Sequence, residues 1–384
     1  MSHITYGRAA INDYNELIDF GNYVFSQAHM PHDFPMMLPK LYKRSNFNPE
    51  HHYTVKEDGR IKALVGSYPM IYNVCGQQLK IYDIGIVSVH PYARSKGYMK
   101  LLMNEALQDM RVEGADLSSL GGQRQRYEYF GYSPCGALFT FSCSAVNIRH
   151  RFGKDFQPDI TFKEILSSGD PDLDVIGKMH SRKKAFIERP RDLMFDIMTT
   201  WNNRILGVWR HKEMIGYLSV SQDLGAIQEL YLTEASTLIE MIGAYLRQFC
   251  LQDVLIRLSS YETDKIAHLA GLAERTEVSN ARNFNILNYP NVIKAFLKLK
   301  SGTLPDGRMT VRIQDKCTIT ISVADNGLDV RQTDENPDYI VSHLEAMQLF
   351  FSHVSAFFLG IMEGNDFAGR LFPIPIFVES NDQT

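Results

Sequence analysis

The chain has 384 residues, more than one hydrophobic core usually organises, so two or three domains are expected. Its 45% hydrophobic and 22% charged residues are those of an ordinary globular protein, and no apolar run approaches the ~20 residues that span a bilayer. A formal net charge of −4 speaks against a nucleic acid partner, while leaving room for a local basic pocket.

Five cysteines, Cys75, Cys135, Cys143, Cys250 and Cys317, form an odd set without a CxxC pair, which reads as reduced thiols. The start, MSHITYGRAAINDYNEL, shows no positive segment followed by an apolar core, so a cytoplasmic location is expected.

In chain order, Asn12 to Phe25 predicts a helix, and HMPHDFPMMLPKLY predicts an irregular segment or short helices near a cleft. Tyr53 to Lys56, Ile61 to Tyr68 and Gln78 to Val89 predict strands, with turns at Asp58-Gly59 and Cys75-Gly76. From Tyr98 to Glu113, Met99, Leu102, Met103, Ala106, Leu107 and Met110 recur at helical spacing. Asp116 to Leu120 and Ala137 to Cys143 are further strand candidates.

A second cycle follows. ITFKEILSSGDPDLDVIGKMHSRKK predicts a strand and a helix, and RILGVWRHKEMIGYLSVSQ a hairpin turning at His211-Lys212. AIQELYLTE, STLIEMIGAYLRQFC and DVLIRLSS predict strand, helix and strand, the element order of the first third. ARNFNILNYPNVIKAFLKLKSG is expected to end this unit and start a helix after Pro290. GRMTVRIQDKCTITISVADNGLDVRQT alternates as strands with a tight turn at Asn326-Gly327. One or two helices over PDYIVSHLEAMQLFFSHVSAFFLGIM precede the closing apolar LFPIPIF and a polar end. The expected class is mixed α/β (α+β), divided at residues 1–145, 146–282 and 283–384.

The segment Ile84-Gly85-Ile86-Val87-Ser88-Val89 carries the chemistry. Apolar alternation runs through Ile84 and Ile86, then changes phase to Val87 and Val89, as a β-bulge would produce. A bulge leaves backbone N–H groups able to reach a ligand. Arg94, Lys96 and Gly97 follow, then the amphipathic helix. Gly97 permits close backbone approach, and the helix start offers free N–H donors and the positive dipole end. The recipe suits a pyrophosphate; the alternative is a basic turn ahead of a surface helix.

IVSVHPYARSKGYMKLLMNEAL resembles motif A of the GNAT N-acetyltransferases, Q/R-x-x-G-x-G/A after a bulged strand, through Arg94, Ser95, Lys96 and Gly97; Met99 departs from the final Gly/Ala. The resemblance implies acetyl-CoA as co-substrate and no metal. Val87, Ser88 and Val89 would contact the pantetheine arm, and Ser95, Lys96, Gly97, Tyr98, Met99 and Lys100 would cradle the pyrophosphate beside Arg94. GGQRQRYEYFGYSPCGALFTFS and LFPIPIF are similar to segments of the Eis-like (enhanced intracellular survival) proteins. Those combine a GNAT domain, a degenerate second GNAT domain and a sterol-carrier-protein-2-like domain, and are often homo-oligomers. In them a Tyr acts as general acid and the C-terminal carboxylate as general base. The matching positions are Tyr127 and Thr384, with Tyr129 and Tyr132 as register alternatives for the first and a frayed terminus as the alternative for the second. The implied acceptor is a small-molecule or peptide amine: an aminoglycoside, a polyamine or a lysine side chain. A CoA- or lipid-binding sensor without turnover is the rival reading.

The corresponding loop of the second cycle, Thr233 to Ser236, has no glycine or cation and contains Glu234, which would repel a pyrophosphate. One cofactor site per chain is therefore expected. His29, His32, His51 and His52 lack the partners of a metal site, and GDPDLD lacks the glycine and final glutamate of a calcium loop. Asp83 either fixes the strand or attracts a cationic amine, and Phe34, Met36 and Met37 either line a substrate entrance or simply pack. Arg124 and Arg126 lie beside Tyr127, where they either meet CoA phosphates or are solvated or salt-bridged, and they are not counted in the expected site.

Overall fold

The computed structural model describes residues 3–27, 31–325, 327–354, 360 and 366–384. Two compact units emerge. The first contains Met1–Cys135, Arg282–Ile374 and Gln383–Thr384; the second contains Gly136–Ala281 and Pro375–Asp382.

The first unit opens with β1 (Ile4–Arg8), α1 (Tyr14–Ser26) and the short α2 (Phe34–Met37) and α3 (Pro39–Tyr42). Then come β2 (His52–Glu57), β3 (Arg60–Val74), β4 (Gln77–Val89), α4 (Tyr98–Val112), β5 (Leu117–Leu120), α5 (Arg124–Tyr127) and β6 (Ser133–Cys135). The second unit runs β7 (Leu138–Ser144), α6 (Ala145–Phe152), β8 (Ile160–Ile165), α7 (Asp172–His180), β9 (Ala185–Ile187) and α8 (Met194–Met198). It continues with β10 (Arg204–Arg210), β11 (Glu213–Val220), β12 (Ala226–Leu232), α9 (Leu238–Gln248), β13 (Asp253–Ser259), α10 (Thr263–Ala270) and β14 (Arg275–Ser279). The chain then re-enters the first unit through β15 (Arg282–Ile286), α11 (Tyr289–Leu297), β16 (Gly307–Ile313), β17 (Cys317–Ala324), β18 (Gly327–Gln332), β19 (Tyr339–Val341), α12 (His343–Phe351) and α13 (Asp366–Leu371).

Turn chemistry sets the first hairpins. Asp58 and Gly59 both have positive φ, as do Cys75 and Gly76, the two-residue geometry that joins twisted antiparallel strands. The first unit's main sheet follows the order β1-β2-β3-β4-β5-β15-β6. Strand β5 runs parallel to β4, and β15 is antiparallel to both β5 and β6. Helix α1 covers one face with Leu17, Ile18 and Phe20 against Leu64, Tyr68 and Ile86. Helix α4 covers the other with Leu102, Met103, Ala106, Leu107 and Met110 against Val55, Ala63, Val65 and Ile84. Each such side chain larger than alanine contributes about 1.5–3 kcal/mol relative to exposure, so the stripe on α4 alone fixes the helix onto the sheet.

The second unit has the order β14-β7-β13-β12-β11-β10-β8 and is also covered on both faces. In the first unit β16 to β19 make a smaller mixed sheet, β18-β17-β16-β19.

Two segments lie elsewhere than their sequence neighbourhood suggests. The 138–144 segment, grouped by position with the first domain, pairs with β13 and β14 of the second unit. The 282–286 segment, expected to end the second unit, instead inserts between β5 and β6, burying Phe284 and Ile286 completely. Of the apolar tail, Ile374 belongs to the first unit and Ile376, Phe377 and Val378 to the second, and all four are buried. Three sequence expectations fall wholly or partly outside the described residues: His29, the turn residue Asn326, and residues 355–359 and 361–362 of the last expected helical stretch.

Candidate active site

The phase slip in β4 is a bulge. Leu64 of β3 faces Ser88, but Gly66 faces Gly85, leaving Ile86 and Val87 together opposite Val65. Ile86 has φ of +48°, the backbone turn that accommodates the extra residue. Parallel pairing of β4 with β5 stops at the same level: the last partners are Ile84 and Leu120, while β4 continues to Val89. The strands part there, and the edge of β4 over Val87–Val89 no longer has β5 as a ladder partner.

A turn over Pro91–Ala93 leads from this edge to the loop Arg94–Gly97. Gly97 is the N-cap of α4 with φ of +80°, a left-handed conformation costly for other residues. No side chain caps this helix start. The first-turn N–H groups of Tyr98, Met99 and Lys100 have no carbonyl within the helix, so they suit an anion. Glu57 pins the loop from below by accepting hydrogen bonds from Lys96 Nζ (2.6 Å) and Tyr98 Oη (2.5 Å).

A cleft of about 860 Å³ opens over these elements. Val87, Val89, Arg94, Ser95, Gly97, Tyr98, Met99 and Lys100 line it, as the sequence leads one to expect. Ser88 and Lys96 do not. Strand alternation turns Ser88 to the opposite, buried face, and Lys96 is spent on Glu57. Met99, the poorest match to the motif, is accommodated as an apolar part of the wall. The cleft also takes in Val24 from α1, Gln27 just after it, and Ala93, Arg126, Tyr129 and Phe130. Arg126 was missed because a cation beside Tyr127 in sequence carries no signal of direction. Arg124, its neighbour on α5, pairs instead with Glu128 at 3.1 Å.

Three tyrosines separate clearly. Tyr127 lines the cleft and is only 7% exposed. Burial pushes its phenol up from the ordinary value, opposed by the Arg126 charge, so the hydroxyl keeps its proton across the neutral range. Tyr129 is 66% exposed and carries Lys100 Nζ 4.7 Å from its ring centroid. Tyr132 is completely buried and hydrogen-bonded to Ser118 Oγ at 2.7 Å. Of these three, only Tyr127 combines an enclosed position with a place on the cleft.

Thr384 is not frayed. Its amide and its Oγ1 both donate to Asp83 Oδ2, at 2.7 and 2.8 Å. Asp83 is completely buried, accepts from Ser119 Oγ at 2.5 Å, and pairs with Arg282 Nη2 at 2.7 Å. With these partners Asp83 fixes structure, and the alternative role of drawing in an amine from solvent falls away. Phe34 is buried against Tyr42 and Phe25, so its part is packing. Among the described residues no group of three or more His, Cys, Asp or Glu side chains is placed to hold a metal, and no helix is long and apolar enough to cross a membrane.

Residues 5–135 match the family described as acetyltransferase (GNAT) domain. The first unit thus carries an acetyltransferase domain of this type, and the chain is an acyltransferase by class. Several solved structures share the fold over the whole chain. A probable N-acyltransferase from Enterococcus faecalis superposes with a TM-score of 0.70 at 15% identity, covering 98% of this chain and 97% of that one. A GCN5-related N-acetyltransferase from Anabaena variabilis gives 0.67 at 13% identity, covering 98% of both chains. Eis1 from Mycobacterium abscessus gives 0.67 at 13% identity, covering 100% of both. No curated protein matches the sequence.

Proposed function

We propose that the chain is an acetyl-CoA-dependent N-acetyltransferase that acetylates an amine by direct attack. The observation that carries this reading is the cleft itself. A bulged strand edge, a left-handed glycine N-cap, the cations Arg94, Lys100 and Arg126, and the buried Tyr127 converge on one volume. These residues fit acetyl-CoA: helix N–H groups and cations for its phosphates, and a strand edge for its extended arm. Acetyl-CoA when bound supplies the thioester.

The chain's own groups divide the remaining work. Backbone N–H groups at the parted end of β4 stabilise negative charge on the acetyl oxygen. The Tyr127 hydroxyl, held protonated by burial, donates to the departing thiolate. The acceptor must lose a proton, because an alkyl ammonium of pKa about 10 cannot attack; the Thr384 carboxylate is the base we assign. Cationic amines such as polyamines, aminoglycosides and lysine side chains are the acceptor class. We read residues 283–384 as the sterol-carrier-like part, supported by the β18-β17-β16-β19 sheet with Met309, Val311, Ile319 and Ile321 buried. The five free cysteines support a reducing, cytoplasmic setting.

The test is to incubate the protein with acetyl-CoA and a panel of polyamines, aminoglycosides and lysine peptides, following free thiol and the mass of the amine. Acetylated amine with stoichiometric thiol release is expected. Saturable acetyl-CoA binding without thiol release on any amine would overturn the reading in favour of a sensor.

A further inference from the structure

Thr384 sits in a built site inside the first unit. Its amide and hydroxyl converge on one oxygen of Asp83, and Arg282 Nη2 donates to a carboxyl oxygen of Thr384 at 3.1 Å while pairing with Asp83. The preceding residue is fixed as well: Lys40 Nζ donates to the Gln383 carbonyl at 2.8 Å, and Arg282 Nη1 to Gln383 Oε1 at 2.6 Å. Underneath lies Gly85, one residue before the bulge. A Cβ there would stand 2.5 Å from Thr384 Oγ1 and 2.8 Å from Thr384 Cβ, so glycine is the residue that lets the tail lie on β4.

We propose that Asp83, Arg282 and Gly85 form a seat that positions the C-terminal carboxylate for proton removal, with Asp83 and Arg282 as positioning residues. The proposal rests on the reading of the Thr384 carboxylate as base. Two properties favour a seat over ordinary packing. The Asp83–Arg282 pair is a buried ion pair, costly to desolvate and weak as a source of stability, and here it spends its capacity on the final residue. The hydroxyl of Thr384 adds a second, directional bond to a charged acceptor, which fixes rotation about the last residue as well as its location.

Asp83→Asn is a poor first test, because it leaves Arg282 buried without its counter-charge. Thr384→Val and Thr384→Ser alter the final side chain alone, and Gly85→Ala displaces the terminus without removing any polar or charged group. With the seat as drawn, Thr384→Val lowers kcat about 10-fold at unchanged KM for acetyl-CoA, since one charge-assisted bond orienting the base is lost, and Thr384→Ser restores kcat to within about 2-fold. Carboxypeptidase releases the final threonine of Gly85→Ala at least about 10-fold faster than that of the parent protein, because local opening governs cleavage. Parent-like kcat for Thr384→Val together with parent-like digestion of Gly85→Ala would overturn the proposal. A one-glycine extension after Thr384 separates the two layers. If the extension abolishes turnover while Thr384→Val turns over and Gly85→Ala is digested like the parent, the base reading stands and the seat falls. If the extended chain keeps full kcat, the base reading falls and the seat with it.

Discussion

The two units repeat one backbone device and differ in what fills it. In the first, β4 parts from its parallel neighbour β5 after Ile84, at a bulge over Ile86 and Val87. In the second, β12 pairs with parallel β13 only through Ala226 and Ile227, and its own bulge follows at Gln228, between Ile227 facing Val220 and Glu229 facing Ser219. Each central strand also carries a completely buried carboxylate held by an arginine: Asp83 with Arg282, and Glu229 with Arg189 at 2.8 Å. Each pair holds a piece of the tail. Asp83 binds Thr384, while Glu229 accepts from Asn381 Nδ2 at 2.9 Å and Arg189 pairs with Asp382 at 2.8 Å.

The loops diverge. Arg94–Gly97 ends in a left-handed glycine with no capping side chain, so the N–H groups of α4 face the cleft. In the second unit Glu234 occupies the turn, a short helix over Ala235–Thr237 leads directly into α9, and Thr237 Oγ1 donates to the Glu234 carbonyl at 2.7 Å. Both units thus part their parallel strands, and they differ in the four loop residues and the helix start that follow.

The sharpest way to break the contrast is to reverse the loop charges. Arg94→Glu combined with Lys100→Glu should raise the acetyl-CoA KM at least about 100-fold, each reversal replacing attraction by repulsion at the phosphates. Glu234→Arg should leave steady-state kinetics unchanged within about 2-fold, because one charge does not create free helix donors. Next comes Tyr127→Phe, expected to lower kcat about 10- to 100-fold as a general acid is removed, while the same change at Tyr129 should be near neutral. Since burial raises the Tyr127 phenol, a high-pH loss of kcat that this substitution abolishes should lie above the ordinary tyrosine value of about 10.

A smaller effect should appear in the second unit's stability. Burial pushes Glu379 up to about 7, with the Glu229 charge adding to the rise and Lys183 opposing it. A carboxyl whose folded pKa exceeds its unfolded value contributes stability that is complete below the unfolded pKa and fades as pH rises through the folded one. Thermal melts should therefore lose about 1–3 kcal/mol of this contribution between pH about 4.5 and 7, and Glu379→Gln should flatten that slope. The smallest change is Gly97→Ala, which should cost about 1–2 kcal/mol from its left-handed backbone and be read as a lower denaturant midpoint.

Much of the cleft is legible in the sequence, because it is local. The phase change from Ile86 to Val87, the loop to Gly97 and the stripe on α4 lie within some thirty consecutive residues and obey simple periodicities. Ser88 and Lys96 come with the motif because it names consecutive residues, whereas a strand and a turn bring only some of them to the wall of the cleft. The surroundings of Thr384 are hidden in the sequence because they are assembled over long separations. Arg282 reaches Asp83 across 199 residues and Thr384 reaches it across 301. No local pattern announces that Arg282–Ile286 enters the first sheet between β5 and β6, since its alternation suits any half-buried strand. Thr384 was reached by resemblance alone, and the polar composition of its surroundings argued for fraying; what holds it is a buried charge distant in the chain.

Of the two parted strands, the one in the first unit alone is expected to take acetyl-CoA. Titration calorimetry of the full chain with acetyl-CoA, run on the parent and on Arg94→Glu/Lys100→Glu, tests it most directly. One site per chain, lost in the double variant, is the predicted result. Two sites, or a single site unaffected by reversing Arg94 and Lys100, would contradict it.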